Sequence, residues 1–228
     1  MNERTILLIG EAAFARLQQS GVTVAGLGGV GGHCAEALAR AGVGHIHLID
    51  FDTVQPSNLN RQLVAAKSSL GRLKTEAMRE RLWDVSDCRV SIASCRVGED
   101  NVALAVPETT DYIVDAIDQL SGKLALIQYA ARRGIPIICC MGAGNRCDAA
   151  RFSVRDVYAT AGDPLARRLR QALREMGVEK LDVVFSEEAP RRAAGQTTVG
   201  SLAPVTAAAG LVAASHVIAG LTSDTLSK

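Results

Sequence analysis

Short β-branched runs alternate with stretches of helical period along the first two thirds of the chain. VTVAGL (22–27) predicts a strand, and GHCAEALARAGV (32–43) a helix whose apolar positions recur three and four apart. HIHLIDFD (45–52) predicts a second strand, LKTEAMRERLWDV (73–85) an amphipathic helix and CRVSIAS (88–94) a third strand. DYIVDAID (111–118) predicts a fourth strand, KLALIQYAARRG (123–134) a helix and IPIICCMGAG (135–144) a strand. This βαβα rhythm specifies an α/β fold with a doubly wound, mainly parallel sheet and helices on both faces.

The rhythm changes after about residue 150. RFSVRDV (151–157) and LDVVFSEEA (181–189) predict strands around a charged helix, DPLARRLRQALREMG (163–177). PRRAAGQTTVG (190–200) reads as a loop, and a last helix spans about 205–221. No linker or internal repeat breaks the chain. The expected organisation is one domain over 1–228, with a nucleotide-binding core at 1–150 and an elaboration at 151–228 that serves dimer and substrate contacts. The run VTAAAGLVAASHVIAGL is apolar enough to consider as a membrane span. Its length, its Ala and Gly content and His216 favour a packed helix, so integral insertion is not expected.

Composition narrows the chemistry. Aromatics are only 4% of 228 residues, which argues against a stacking platform for single-stranded nucleic acid. The net charge of +1 confines any nucleic-acid contact to local patches. Six cysteines form no CxxC pair, so a zinc knuckle is excluded. Reduced, buried thiols and an N-terminus without a signal-peptide pattern suggest the cytoplasm.

GLGGVG spans Gly26 to Gly31 between a predicted strand and a predicted helix. Glycine there permits a tight turn and lets backbone N–H groups approach a phosphate at a helix N-terminus. Gly26, Gly28, Gly29 and Gly31 are the candidate cradle. Roughly twenty residues later, Asp50 stands where a dinucleotide fold places its ribose acid. The stretch DFDTVQPSNLNRQ (50–62) then carries more than a ribose requires: Asp52, Asn58, Arg61 and Gln62, with Lys74 on the helix beyond. Two fixed cations, Arg61 and Lys74, suit a triphosphate and the charge that develops as pyrophosphate leaves. DAID supplies Asp115 and Asp118; the latter could ligate magnesium beside a triphosphate or cap the following helix.

GLGGVGG, LIDFDTVQPSNLNRQ, GRLKTEAM and DYIVDAID, in this order and spacing, resemble the ubiquitin-activating-enzyme superfamily in its bacterial ThiF, MoeB and HesA branch. The resemblance implies ATP-dependent adenylation of a carboxylate. It implies that Asp50 holds the ribose, that Arg61 and Lys74 contact phosphates and that Asp118 binds magnesium. Asn58 and Gln62 would shape the nucleotide site, and Asp52 would organise magnesium or pair with a cation. RTILLIG resembles the segment whose arginine reaches a partner subunit's ATP, so Arg4 is a candidate acting in trans within a homodimer. A monovalent cation and a sulfur-transfer partner are left open.

GDPLARRLRQALREMG, LDVVFSEEAP and TTVGSLAPVTAAAGLVAASHVI resemble the tRNA threonylcarbamoyladenosine dehydratase group within that superfamily. The implied reaction adenylates the threonyl carboxylate of the modified adenosine, and ring closure then expels AMP. The loop at 187–200 is shortened and carries no cysteine, so a thioester mechanism lacks its obvious nucleophile; Cys140 and Cys147 are the remaining thiols to weigh. The alternative function is activation of a ubiquitin-like sulfur carrier; an NAD-dependent oxidoreductase and a non-catalytic nucleotide-binding scaffold are further rivals. For tRNA the basic clusters are Arg132–Arg133, Arg167–Arg168–Arg170 and Arg191–Arg192, each of which also reads as a solvated surface.

Overall fold

The computed structural model describes residues 2–191, 195 and 197–226. Its elements in chain order are α1 (Glu3–Ile9), α2 (Glu11–Gln19), β1 (Gly21–Ala25), α3 (Gly31–Ala41), β2 (His45–Ile49), α4 (Lys74–Val85), β3 (Arg89–Ala93), α5 (Val102–Ala105), β4 (Tyr112–Asp115), α6 (Leu120–Arg133), β5 (Ile137–Cys140), β6 (Phe152–Asp156), α7 (Pro164–Glu175), β7 (Asp182–Ser186) and α8 (Ala203–Leu226). The strands form one sheet in the order β3-β2-β1-β4-β5-β7-β6. All neighbours are parallel except β6, which runs antiparallel to β7.

Strand alternation sorts the core onto two faces. Val22 and Val24 of β1, Val114 of β4 and Val184 of β7 pack on the face covered by α3, α4 and α8. Ala25, Ile113, Cys139 and Val183 point the other way, toward α5, α6 and α7. The doubly wound arrangement expected from the βαβα rhythm is therefore present, and the second half of the chain extends the same sheet through the β5–β7 pairing.

α8 starts two residues earlier and ends five later than expected. Val205, Ala209, Ala213, Val217 and Leu221 bury one side of it against Cys34, Ala35 and Leu38 of α3. It is the one helix among the described residues long and apolar enough to cross a membrane, yet half of its apolar window is interior packing. Small residues let it lie close: a side chain at Gly210 would strike the Val30 carbonyl of the glycine turn. α8 thus braces α3, the helix that follows the glycine turn, from behind.

Two differences from the pattern stand out. β2, β4 and β5 stop at Ile49, Asp115 and Cys140, short of the expected 52, 118 and 144. The polar residues beyond each apolar run therefore lie in loops at the carboxyl edge of the sheet. Residues 3–19, for which the pattern makes no assignment, form α1 and α2. None of the α1 residues is fully buried, and only Ile9 packs against the core cluster.

Candidate functional site

The sheet reverses direction at β1 and β4: successive strands run outward from β1 through β2 to β3 on one side, and from β4 to β5 on the other. The loops after β1 and β4 diverge there and open a crevice, the usual ligand position in such sheets. A cavity of about 700 Å3 occupies it. Gly26, Gly28, Gly29, Asp50, Asp52, Asn58, Arg61, Gln62, Lys74 and Asp118 all line this cavity. Of the expected site residues, Gly31 and Arg4 do not.

The glycines divide by role. Gly26 has φ +90°, and a Cβ there would stand 2.7 Å from the Ala116 carbonyl oxygen across the switch point. Gly31 opens α3 and would clash with the Gly26 carbonyl. It permits close helix–strand packing at the start of α3. Gly28 and Gly29 face the cavity. The N–H groups of Gly28, Gly29 and Val30 have no acceptor among the described residues, which fits a phosphate at the start of α3.

Asp50 follows β2 directly and is 8% exposed. Its Oδ2 accepts the Leu27 N–H at 2.6 Å and its Oδ1 the Asp52 N–H at 2.8 Å. These bonds fix the carboxylate and leave a lone pair on each oxygen for ribose hydroxyls. Asp52 has a cation as its partner: its Oδ2 accepts from Lys74 Nζ at 2.9 Å, and its carbonyl accepts the Lys74 N–H at 3.0 Å. Lys74, the first residue of α4, is 5% exposed and is thereby aimed into the cavity.

The 56–62 segment is a tight turn. Asn58 Oδ1 accepts the Gln55 N–H at 3.0 Å, and the Asn58 carbonyl accepts the N–H groups of Arg61 and Gln62. Arg61 Nη1 donates to the Ser57 carbonyl and to Asn60 Oδ1, both at 2.9 Å, which holds the guanidinium at the cavity wall. Gln62 is 7% exposed, and its Oε1 is buried with no hydrogen-bond partner among the described residues. A buried amide oxygen left without a donor costs about 1–3 kcal/mol, so a ligand donor or water belongs there.

The capping role open to Asp118 is not realised. α6 begins at Leu120, its N-cap residue is Gln119, and Asp118 makes no hydrogen bond or ion pair among the described residues. Its carboxylate is free to serve the cavity. No cluster of three His, Cys, Asp or Glu able to hold a metal occurs among the described residues. The donor set fits magnesium, which takes one or two carboxylates and completes its shell with phosphates and water.

Lys123 is missing from any reading of spacing. It is fully buried and donates to Asp115 Oδ2 and to the Cys140 carbonyl, each at 2.9 Å. Asp115 Oδ1 accepts the Ile117 N–H at 3.0 Å. One buried ion pair therefore ties together the two loops, 116–119 and 141–144, that floor the cavity. Burial alone disfavours the ammonium, but the adjacent Asp115 carboxylate outweighs it and holds Lys123 above the ordinary lysine value.

Burial disfavours the thiolate at both cysteines of the cavity wall. Cys140 lines the cavity, and burial pushes it up to about 12. Cys95, also in the wall, is raised by burial. Cys147 is exposed and is not in the cavity wall. Of the basic clusters, Arg132 and Arg133 end α6, about 20 Å along the helix from the cavity. Arg170 is committed to Thr160 Oγ1 at 2.5 Å. Arg167 and Arg168 are exposed on α7, close to Leu165 of the cavity wall. Arg191 is exposed, and Arg192 lies outside the described residues. Arg4 is exposed on α1, away from the cavity of its own chain.

Comparison with known proteins gives the same architecture. The tRNA threonylcarbamoyladenosine dehydratase of Bacillus subtilis is 36% identical, covering 97% of this chain and 94% of that protein. The Escherichia coli enzyme of that name is 38% identical, covering 94% and 90%. Its crystal structures in complex with AMP and with ATP each superpose with a TM-score of 0.93, covering at least 99% of this chain and 95% of that one. An adenylyltransferase and sulfurtransferase, MOCS3 of Culex quinquefasciatus, is 37% identical over only 54% of this chain and 28% of that protein. The sequence profile of the ThiF family matches residues 2–228, and with whole-length relatives above 30% identity this chain belongs to the ThiF family.

Proposed function

We propose that this chain is an ATP-dependent adenylating enzyme that acts on the threonyl carboxylate of threonylcarbamoyladenosine in tRNA and releases the cyclic, dehydrated nucleoside. The observation that carries the reading is one cavity at the switch point that gathers the glycine turn, Asp50, Arg61, Lys74 and Asp118, whose carboxylate has no partner among the described residues. The whole-length likeness to tRNA threonylcarbamoyladenosine dehydratases supports the choice of substrate.

Asp50 receives the ribose hydroxyls, and the free N–H groups at 28–30 receive phosphate oxygens. Arg61 and Lys74 stand against the negative charge that grows on the phosphates as the substrate carboxylate attacks the α-phosphorus. Magnesium held by Asp118 would neutralise further charge on the phosphates. Attack breaks the α–β phosphoanhydride, leaving an acyl-adenylate and pyrophosphate. A nucleophile within the modified adenosine then attacks the acyl carbon and AMP departs with the former carboxylate oxygen. The protein orients the two partners and stabilises charge; the second step needs no enzyme thiol. Arg4, exposed on a helix with no fully buried residue, would reach the neighbouring cavity in a homodimer.

The test is ATP–pyrophosphate exchange with tRNA carrying threonylcarbamoyladenosine, followed by mass analysis of its nucleosides. The expected product has lost one water. Exchange driven instead by a ubiquitin-like carrier protein, with the nucleoside unchanged, would overturn the substrate assignment. The thiol chemistry gives a second check. Cys140→Ser and Cys147→Ser are expected to keep turnover within about tenfold of the parent. Loss of a true nucleophile costs about 10,000-fold or more.

A further inference from the structure

Three side chains in the cavity wall have no part in the roles above: Phe51, Arg96 and Gln119. They come from the loops that follow β2, β3 and β4. The Arg96 guanidinium carbon lies 4.1 Å from the centroid of the Phe51 ring, and Arg96 Nη1 donates to Gln119 Oε1 at 2.9 Å. The Arg96 loop is itself braced. Its backbone carbonyl accepts from Asn101 Nδ2 at 2.9 Å, and Asn101 Oδ1 accepts the Gly98 N–H at 2.8 Å. Arg96 has no carboxylate partner among the described residues. It is a placed cation with an aromatic neighbour and an amide at its edge, on the rim of a nucleotide-sized cavity.

Such a cation could serve phosphates or a base. Its position separates the two. The glycine turn meets Thr206 and Arg61: a Cβ on Gly29 would stand 2.8 Å from Thr206 Oγ1 and 3.3 Å from Arg61 Cγ. That end of the cavity holds the glycine turn and Arg61. Asp50 fixes the ribose between. The loops that carry Arg96 and Gln119 also set Cys95, Val97 and Ile117 in the cavity wall, an apolar surface of the kind a purine takes. A guanidinium plane stacks on aromatic faces, and every purine offers one.

We propose that Arg96, set by Phe51 and Gln119, is the base clamp of this site: its guanidinium packs on the purine of the bound nucleotide and sets affinity for ATP. This rests on the nucleotide reading of the cavity. It adds a binding residue that neither the glycine motif nor the phosphate cations imply.

Calorimetric titration of the intact protein with ATP, AMP and inorganic tripolyphosphate tests it. Arg96→Ala is expected to weaken ATP and AMP by a similar factor, about 5- to 30-fold, and to leave tripolyphosphate unchanged. In exchange assays the loss falls on KM for ATP and not on kcat. Arg96→Lys fails to recover affinity because an ammonium has no plane to stack. Gln119→Ala, which frees the guanidinium edge, gives a smaller loss of the same pattern. Unchanged AMP binding in Arg96→Ala overturns the proposal. So does a tripolyphosphate loss as large as the ATP loss, which would make Arg96 a phosphate cation. If the parent protein binds neither ATP nor AMP, the nucleotide reading itself fails, and the clamp with it. An unchanged unfolding midpoint for Arg96→Ala excludes misfolding as the cause.

Discussion

Arg61→Ala and Asp118→Ala are each expected to lower ATP–pyrophosphate exchange by about 100- to 1,000-fold, the usual loss when one charge-stabilising group is removed from a transition state. Stability should stay within about 0.5 kcal/mol of the parent in both, because neither side chain holds core structure. The Arg61 hydrogen bonds go to Ser57 and Asn60 of its own turn, and Asp118 has no partner among the described residues. The two variants differ in a second readout. Asp118→Ala should also raise the magnesium concentration needed for tight ATP binding, measured by titration without turnover; Arg61→Ala should not. Full exchange in both variants would remove this cavity from the reaction. Lost exchange with lost folding would instead assign them to structure.

The largest expected stability loss lies beneath the site. Lys123→Met should cost about 3–5 kcal/mol in urea unfolding at fixed protein concentration, since it strands Asp115 as an unpaired buried charge. Both side chains are 0% exposed, so solvent cannot screen the loss. Adding Asp115→Asn to Lys123→Met should recover part of it, because the asparagine carbonyl oxygen can still accept the Ile117 N–H while the charge is gone. The pH dependence carries a definite sign. The folded lysine value is raised, so the pair's contribution is complete below the unfolded lysine value of about 10.4 and is lost as pH climbs through the folded value. Lys123→Met should therefore lose less stability on alkaline titration than the parent. A Lys123→Met midpoint equal to the parent's would show that the pair does not carry the two loops.

The extent to which the site was legible follows from distance along the chain. The glycine turn, Asp50 and the turn holding Asn58, Arg61 and Gln62 are local features whose spacing announces them, and the cavity contains them. Asp52 was ambiguous by spacing, between magnesium and a cation. The α4 start folds back onto its loop and supplies Lys74 from 22 residues away. Asp118 was divided between capping and ligation, because a strand end and a helix start share the same few residues. The backbone removed the capping role by making Gln119 the boundary residue. Gly31 reads as part of the cradle by motif, and the packing of α3 against the Gly26 carbonyl gives a second reason for a glycine there.

By itself the sequence determined the α/β class and the alternation of its elements, because strand and helix periods are written in consecutive side chains. It also determined the nucleotide-type chemistry, because that chemistry sits on short loops beside those elements. Only the tertiary structure decided what depends on strand order. The β1–β4 switch point selects which loop ends share a cavity. The sheet buries Lys123 where Asp115 and Cys140 meet, and α8 returns to brace α3. Three separate loops bring Phe51, Arg96 and Gln119 into one bridge. No local pattern encodes such meetings, because the residues involved become neighbours only when the sheet is assembled.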